Sequence, residues 1–498
     1  MQLQVLMGIG VYIVAMMVIG IYASKKIATS VDFINAGRSL GLLLCTATLF
    51  ASWFGGGTAL GGAGAAYEEG FLGVIADPFG AGLVMIIAGL FVLRPIRKLG
   101  CSTIVSFYEI RYNKLVGVLA SIFEIITYIG WAGALIVSFG FITHALTGIP
   151  ETYSILIGGL VIIVYTWAGG MWAVTLTDAV QMVVLIIGVI FMLPLGIKAV
   201  GGWDAFTSKV PENFFHMWPR GANLNGWLVY VAAWLSLGLG CLPEQALIQR
   251  GTAAKNENVA VWSGYNAGIL YLTIGLIPPI LGMVGSLLFP GLENSEMVLP
   301  KMALQVLSPW GVTLFLGALI AAIMSSADSA ILAPAVIVGD NVLRYFKPDA
   351  SDEQVLKVSR IMVPIFTVVC IAVAMYAKVV YDLMVLAYTL LLVSLVVPLI
   401  GGLYWRKANS WGAAASIIAG GVVFALLSAF PHDVWPAEIV ALLVNLVVYI
   451  AVSLATQEKD KPNDLFVDEN GNLIPLKNNL GFISPFKAEK LNEKGTTK

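Results

Sequence analysis

Apolar residues along this chain fall into long continuous blocks rather than into the one-faced rhythm of a soluble amphipathic helix. Thirteen blocks can be drawn, at approximately 3–23, 39–65, 72–93, 115–147, 152–168, 176–197, 226–248, 261–289, 303–340, 358–377, 380–404, 411–430 and 436–455. A span needs about 20 mostly apolar residues, and a helix satisfies its own backbone in lipid. The pattern therefore predicts an all-α polytopic membrane protein with thirteen transmembrane helices. The long fourth and ninth blocks fit either one tilted helix or a helix plus a surface segment. From 457 onward the pattern turns polar, with Asp464, Asp468, Glu469, Asn470 and Gly471 reading as loop. The expected division is a transmembrane domain at 1–456 and a partly disordered cytoplasmic tail at 457–498.

Two blocks are interrupted. Gly55-Gly56-Gly57 follows Ala51-Ser52-Trp53-Phe54 in the second, and Gly238-Leu239-Gly240-Cys241-Leu242-Pro243-Glu244 breaks the seventh. Glycine costs about 1 kcal/mol relative to alanine inside a helix, and a break at membrane depth frees backbone groups that need partners. Glycine also lets membrane helices pack closely, so the triplet admits a packing reading beside the broken-helix reading. Paired interruptions in two halves of a chain point to the midplane site of an inverted-repeat transporter. Spans two to six and seven to eleven would then form a five-plus-five core with two broken helices.

Composition supports the membrane reading: 59% of residues are apolar and 11% charged, with a mean hydropathy of +0.88 and a net charge of −1. Threading the spans with the N-terminus outside puts sixteen Lys and Arg on the inner face, among them Lys25, Arg97, Arg250 and Arg406. Lys198, Lys209, Arg220, Lys301 and Lys378 remain outside. That excess predicts an external N-terminus and a cytoplasmic C-terminus in the cell membrane. The first block has Lys25-Lys26 after it and no basic residue before it, the reverse of a signal peptide, so it reads as an uncleaved helix. Cys45, Cys101, Cys241 and Cys370 offer no external disulfide pair, and the three histidines have no metal-ligand spacing. Nothing in the chain points to nucleic acid or to a protein partner.

The spans also contain Asp77, Glu124, Asp178, Glu244 and Asp328, with Asp382 nearer an end, and no lysine or arginine away from their ends. A centrally placed Asp costs about 2.5 to 3.5 kcal/mol even on the lenient insertion scale. Ionised carboxylates there call for a bound cation or a cationic solute; neutral, hydrogen-bonded carboxyls are the alternative. In the ninth block Ala322, Ser325, Ser326 and Ser329 share one helical face. Hydroxyls and freed carbonyls are hard oxygen ligands for a cation; a seam of small packing residues is the other reading.

These residues resemble the sodium:solute symporter family. Phe33-Ile34-Asn35-Ala36-Gly37-Arg38, the break at Ala51 to Gly57, Gly169-Gly170-Met171-Trp172-Ala173-Val174 with Thr177-Asp178 and Gln181, Glu244-Gln245 with Gln249-Arg250 and Ala253-Ala254-Lys255, and Ser325 to Ser329 match its motifs in order. The resemblance covers 1 to about 455. It implies sodium-driven uptake of a small organic solute by alternating access, with sodium as the ion. Carried over, it places one sodium on the carbonyls of Ala51, Phe54 and Ala322 and the hydroxyls of Ser325 and Ser326. Asp178, Ser329 and Asp328 resemble a second cation site found in part of the family. Solute contacts would come from Trp53, Thr58, Asp77, Trp131 and Glu244. Asp77 with Trp53 and Trp131 suits an ammonium group, while Trp131 also reads as a packing or interfacial anchor.

Trp53, Glu296-Met297-Val298-Leu299-Pro300 and Ser325-Ser326-Ala327-Asp328-Ser329 are similar to the choline transporter branch. Glu244 stands where a choline cage would offer another aromatic, which leaves betaine and proline beside choline, and sugars or monocarboxylates as the alternative class. An aspartyl intramembrane protease would need a Gly-x-Gly-Asp, and Val338-Gly339-Asp340 lacks its first glycine. A channel would need repeated rings of like groups. A solute sensor would differ in showing no sodium-driven accumulation.

Overall fold

A computed structural model describes residues 2–166, 170–377, 380–430 and 435–460. Gly169, Lys378, His432 and residues 461–498 of the expected tail lie outside the described residues. Among the described residues the chain is helical apart from turns and one isolated parallel bridge between Leu40 and Ala254. Its main helices are α1 (Gln2–Ser24), α2 (Leu42–Trp53), α3 (Gly62–Glu69), α4 (Ala81–Phe91), α5 (Lys114–Thr147), α6 (Glu151–Thr166), α7 (Gly170–Ala199), α8 (Leu224–Gly238) and α9 (Gln245–Ala253). They continue with α10 (Glu257–Thr273), α11 (Ile277–Leu288), α12 (Val298–Val306), α13 (Pro309–Ile337), α14 (Asp352–Ala377), α15 (Tyr381–Ser394), α16 (Val396–Tyr404), α17 (Ser410–Ala429) and α18 (Ala437–Ala455).

Eight described segments are long and apolar enough to cross a membrane, or nine when α15 and α16, bent by 41°, count as one. The long fourth block proves to be the single helix α5. The ninth does not. Ser308 caps α13 by accepting from Gly311 N–H, and Pro309 opens that helix, so α12 is a separate short helix before it.

Both interruptions break helices. At the first, Phe54 leaves helical geometry at φ −74°, ψ 73°, and Gly55 N–H turns back to Trp53 O at 2.8 Å. Gly56 already has helical torsions, so the unwound stretch is shorter than the glycine triplet. Close packing explains the rest of the run. A Cβ on Gly55 would lie 2.4 Å from Ser326 Oγ, one on Gly56 2.1 Å from Ser138 Oγ, and one on Gly57 2.1 Å from Met384 Sδ. The break and the packing readings therefore hold together, each at its own residue. At the second interruption α8 stops after Gly238, a turn is closed by Glu244 N–H donating to Cys241 O at 3.2 Å, and α9 starts at Gln245.

The broken helices sit inside the bundle, α2 packing against α7, α10 and α13, and α8 against α15. In α13 the most apolar stretch is 83% buried within the protein, against 28% in α18, which separates a central helix from a lipid-facing one. Near the start of α2, Leu40 N–H donates to Ala253 O at 3.0 Å and Lys255 N–H to Leu40 O at 2.9 Å. The foot of one broken helix is thus hydrogen-bonded to the end of the other.

Candidate functional site

Side chains around the first break fall into two adjoining groups. In the first, Ala51 O near the end of α2 accepts the Ser326 hydroxyl of α13 at 3.4 Å. One residue earlier on α13, Ser325 donates instead to Asp178 Oδ1 on α7 at 2.8 Å. Asp178 Oδ2 accepts Thr48 Oγ1 at 2.5 Å and Ser52 Oγ at 3.3 Å, both from α2. Ser329 lies 3.1 Å from Ser52 Oγ and donates to Asp328 Oδ1 at 3.3 Å. The expected residues Asp178, Ser325, Asp328 and Ser329 therefore form one network joining α2, α7 and α13, with the Ala51–Ser326 bond as a separate link between α2 and α13. Ala322 is on the same helix face as Ser325 and Ser326, and Phe54 marks the first non-helical residue, its ring against Phe50 and Tyr271.

One member was not expected. Arg250, read from the sequence as an inner-face cation, is 1% exposed, with Nη2 4.0 Å from Asp178 Oδ2 and a hydrogen bond to Ser329 Oγ. Its Nη1 donates to Ala246 O at 3.1 Å and its Nε to Thr48 O at 3.4 Å. The carboxylate cluster thus contains a protein-borne positive charge, which corrects the expectation of spans with no internal cation. Placement of the seventh block's end at 248 had hidden it; α9 carries the chain through Arg250 to Ala253.

The second group surrounds Trp53. Thr58 Oγ1 donates to Asp77 Oδ2 at 2.6 Å and is hydrogen-bonded to the Tyr271 hydroxyl, which reaches Trp53 O at 3.0 Å. The Trp53 ring stacks on Tyr388 with centroids 6.5 Å apart, and Tyr388 lies 5.8 Å from Trp131, which lies 5.7 Å from Tyr128. Both tyrosines donate to Glu244 Oε1, Tyr388 at 3.2 Å and Tyr128 at 3.4 Å. Glu124 Oε2 in turn accepts the Gln245 N–H at 3.3 Å. Trp53, Thr58, Asp77, Trp131 and Glu244 are all brought together, through three tyrosines that the sequence did not single out. Trp131, buried at the centre of this chain of rings, is not an interfacial anchor.

All of these side chains are buried, so the site is closed to solvent in this conformation. Among the described residues, five polar atoms in it have no hydrogen-bond partner: Trp53 Nε1, Asp77 Oδ1, Glu124 Oε1, Glu244 Oε2 and Gln245 Nε2. Buried polar groups are nearly always paired, so these atoms are open to a polar partner.

The sequence pattern that defines the sodium:solute symporter family matches residues 33–420. The chain belongs to that family. Members of the family and the relatives found are transporters, not enzymes. The chain is 29% identical to a human high affinity choline transporter over 436 residues, covering 83% of this chain and 75% of the relative. It is 26% identical to the sodium/pantothenate symporter of Escherichia coli K12 over 469 residues, covering 90% and 96%. A solved structure of a Na+-coupled sialic acid symporter in a substrate-bound outward-open state superposes with a TM-score of 0.78 over 91% of this chain and 98% of that one, at 19% identity. That likeness shows a shared fold. Membership supports sodium as the coupling ion and a small organic solute as the cargo of this membrane transporter.

Proposed function

We propose that this protein is a sodium-coupled importer of a small cationic or zwitterionic organic solute, of the kind represented by choline, betaine or proline. The observation that carries the solute class is a pair of buried carboxylates near the Trp53, Tyr388 and Trp131 rings, Asp77 bonded to Thr58 and Glu244 bonded to Tyr388. Aromatic faces and carboxylates both favour positive charge. Sodium would take the carbonyls of Ala51, Phe54 and Ala322 with the hydroxyls of Ser325 and Ser326. A second sodium at Asp178, Asp328 and Ser329 would have to share Asp178 with Arg250, which already meets the charge there.

Thirteen spans follow if the shorter apolar helices Gly10–Ala23, Leu42–Trp53, Glu151–Ile163 and Leu224–Gly238 count as spans or parts of spans. The proposal takes a five-plus-five core from them, with the N-terminus outside, the polar tail from 457 in the cytoplasm and the chain in the cell membrane. Transport is then alternating access: sodium bridges the first break and α13, favours the conformation open to the outside, and solute binding at Trp53 allows closure. Only an affinity difference between the two conformations drives such a shift.

Uptake by purified protein in liposomes tests the reading, with choline, betaine, proline, a sugar and a monocarboxylate offered with and without an inward sodium gradient. Accumulation of one nitrogenous solute only with the gradient is the expected result. Sodium-driven accumulation of the sugar or monocarboxylate alone would overturn the solute class. No gradient-driven accumulation of any solute would overturn the symport reading.

A further inference from the structure

Resting on that reading, the geometry points to a narrower cargo: we infer that the site selects an ammonium solute that still carries N–H donors over a quaternary one. Two features of the Trp53 neighbourhood support this independently.

The first is the spacing of the rings. A cation sandwiched between two parallel aromatic faces sits about 4.5–5 Å from each, within the roughly 6 Å reach of the interaction, so centroids in that arrangement stand about 9 Å apart. Here successive centroids from Trp53 to Tyr388, Trp131 and Tyr128 are 6.5, 5.8 and 5.7 Å apart. Neighbouring rings therefore lie too close to sandwich a trimethylammonium group between parallel faces. Tyr388 is a neighbour of both tryptophans, and its hydroxyl donates to Glu244.

The second is the unequal use of the carboxylate oxygens. Glu244 Oε1 already accepts Tyr388 and Tyr128, while Oε2 has no partner within the protein; Asp77 Oδ2 accepts Thr58, while Oδ1 has none. Both residues are almost completely buried, Asp77 at 1% and Glu244 at 0% exposure. An N–H donor satisfies such an oxygen with a charge-assisted hydrogen bond. A quaternary ammonium offers charge but no donor, leaving the buried oxygen unpaired. Trp53 Nε1 is a further buried donor without an acceptor among the described residues, and we assign to it one hydroxyl or carboxylate oxygen of the solute. The selected class is therefore a small primary or secondary ammonium compound bearing one oxygen acceptor.

The series ethanolamine, N-methylethanolamine, N,N-dimethylethanolamine and choline removes the N–H donors one at a time while every member stays cationic at neutral pH. Sodium-driven uptake of each, labelled, into liposomes containing the full chain is expected to weaken along the series. Half-saturation for choline should be about tenfold or more higher than for ethanolamine, the discrimination of one charge-assisted hydrogen bond. Glu244→Gln should compress that gap. Thermal stabilisation of the unmodified protein by each amine, in sodium, gives the same ranking should that variant fail to fold. Choline equal to or better than ethanolamine, with uptake still sodium-driven, overturns this inference and leaves symport standing. Sodium-driven uptake confined to solutes without an amine does the same. Absence of any sodium-driven uptake removes the symport reading, and this inference with it.

Discussion

Replacing Gly55 with alanine tests the contact between the first break and α13 more directly than removing any ligand does. An ideal Cβ at Gly55 would lie 2.4 Å from Ser326 Oγ, 2.7 Å from Ser326 Cβ and 3.0 Å from Leu135 Cδ2, where ordinary contact begins at 3.4 Å. Ser326 must give by about 1 Å, and it sits on a fully buried stretch of α13 with little room to turn. Overpacking of this kind costs about 1–3 kcal/mol. Expressed as an equilibrium between the joined and separated arrangements of the two helices, that is roughly 5- to 150-fold. The same displacement moves Ser326 away from Ala51 O, so the half-activating sodium concentration for uptake should rise by about tenfold or more. Adding Ser326→Gly to Gly55→Ala removes both clashing serine atoms. The double variant should regain thermal stability in detergent without regaining the sodium response. A Gly55→Ala protein with native sodium activation of uptake would refute the claim that this close approach builds an ion site.

Two further outcomes follow from the same network and one from Glu296 outside it. Ser326→Ala should raise half-activating sodium while shifting the melting temperature little, because the lost bond to Ala51 O is a long one at 3.4 Å; uptake assayed over a sodium series checks it, and unchanged activation counts against the site. Arg250→Met should strip Asp178 of its buried partner at a cost of about 3–5 kcal/mol and lower the yield of monodisperse protein, whereas Arg250→Met with Asp178→Asn should recover much of it; equal yields for the native protein and the single variant would mean that the pair does not matter. Glu296, outside the spans, accepts N–H bonds from Val380 and Tyr381 beside a cavity of about 340 Å³ that Glu68, Glu293 and Asp382 also line. Burial pushes its carboxyl up to about 7, with nearby Asp382 and Glu68 adding to the rise against those backbone bonds. The folded chain then holds a proton that the unfolded chain releases near pH 4.5, so this stabilisation is complete below that pH and is lost as pH rises through about 7. Melting temperature followed from pH 4.5 to 8 should fall less in Glu296→Gln than in the native protein; parallel curves would reject the assignment.

Much of the site was legible because its signals are local in sequence. A glycine triplet and a Gly-x-Gly with a following proline each announce a broken helix, and serines at i, i+3, i+4 announce a shared face. Partners were not legible. Asp178 meets Thr48 and Ser325 across 130 and 147 positions, and no periodicity links residues so far apart. Tyr128, Tyr271 and Tyr388 looked like any tyrosines in apolar runs; only the fold turns their hydroxyls onto Glu244, Thr58 and the Trp53 carbonyl. Arg250 was concealed by a different error, in which an arginine near the end of an apolar block was given to the aqueous face. Its neighbours, Ala246 O and Thr48 O, satisfy enough of the guanidinium for it to stay inside.

The Trp53 carbonyl shows why ion and solute would be felt together at this break. It accepts Gly55 N–H at 2.8 Å and the Tyr271 hydroxyl at 3.0 Å, and Thr58 approaches it at 3.5 Å. Tyr271 and Thr58 lead to Asp77 and the proposed solute contacts, while Gly55 leads through its close approach to Ser326 to the proposed sodium ligands. A solute that draws on Asp77 must adjust the donors converging on this one oxygen. Gly55 cannot follow without changing its distance from Ser326, because nothing larger than its hydrogen separates them. Tight packing there turns a local adjustment into a choice between two arrangements of α2 and α13. Such a choice is what a difference in sodium affinity needs in order to drive uptake.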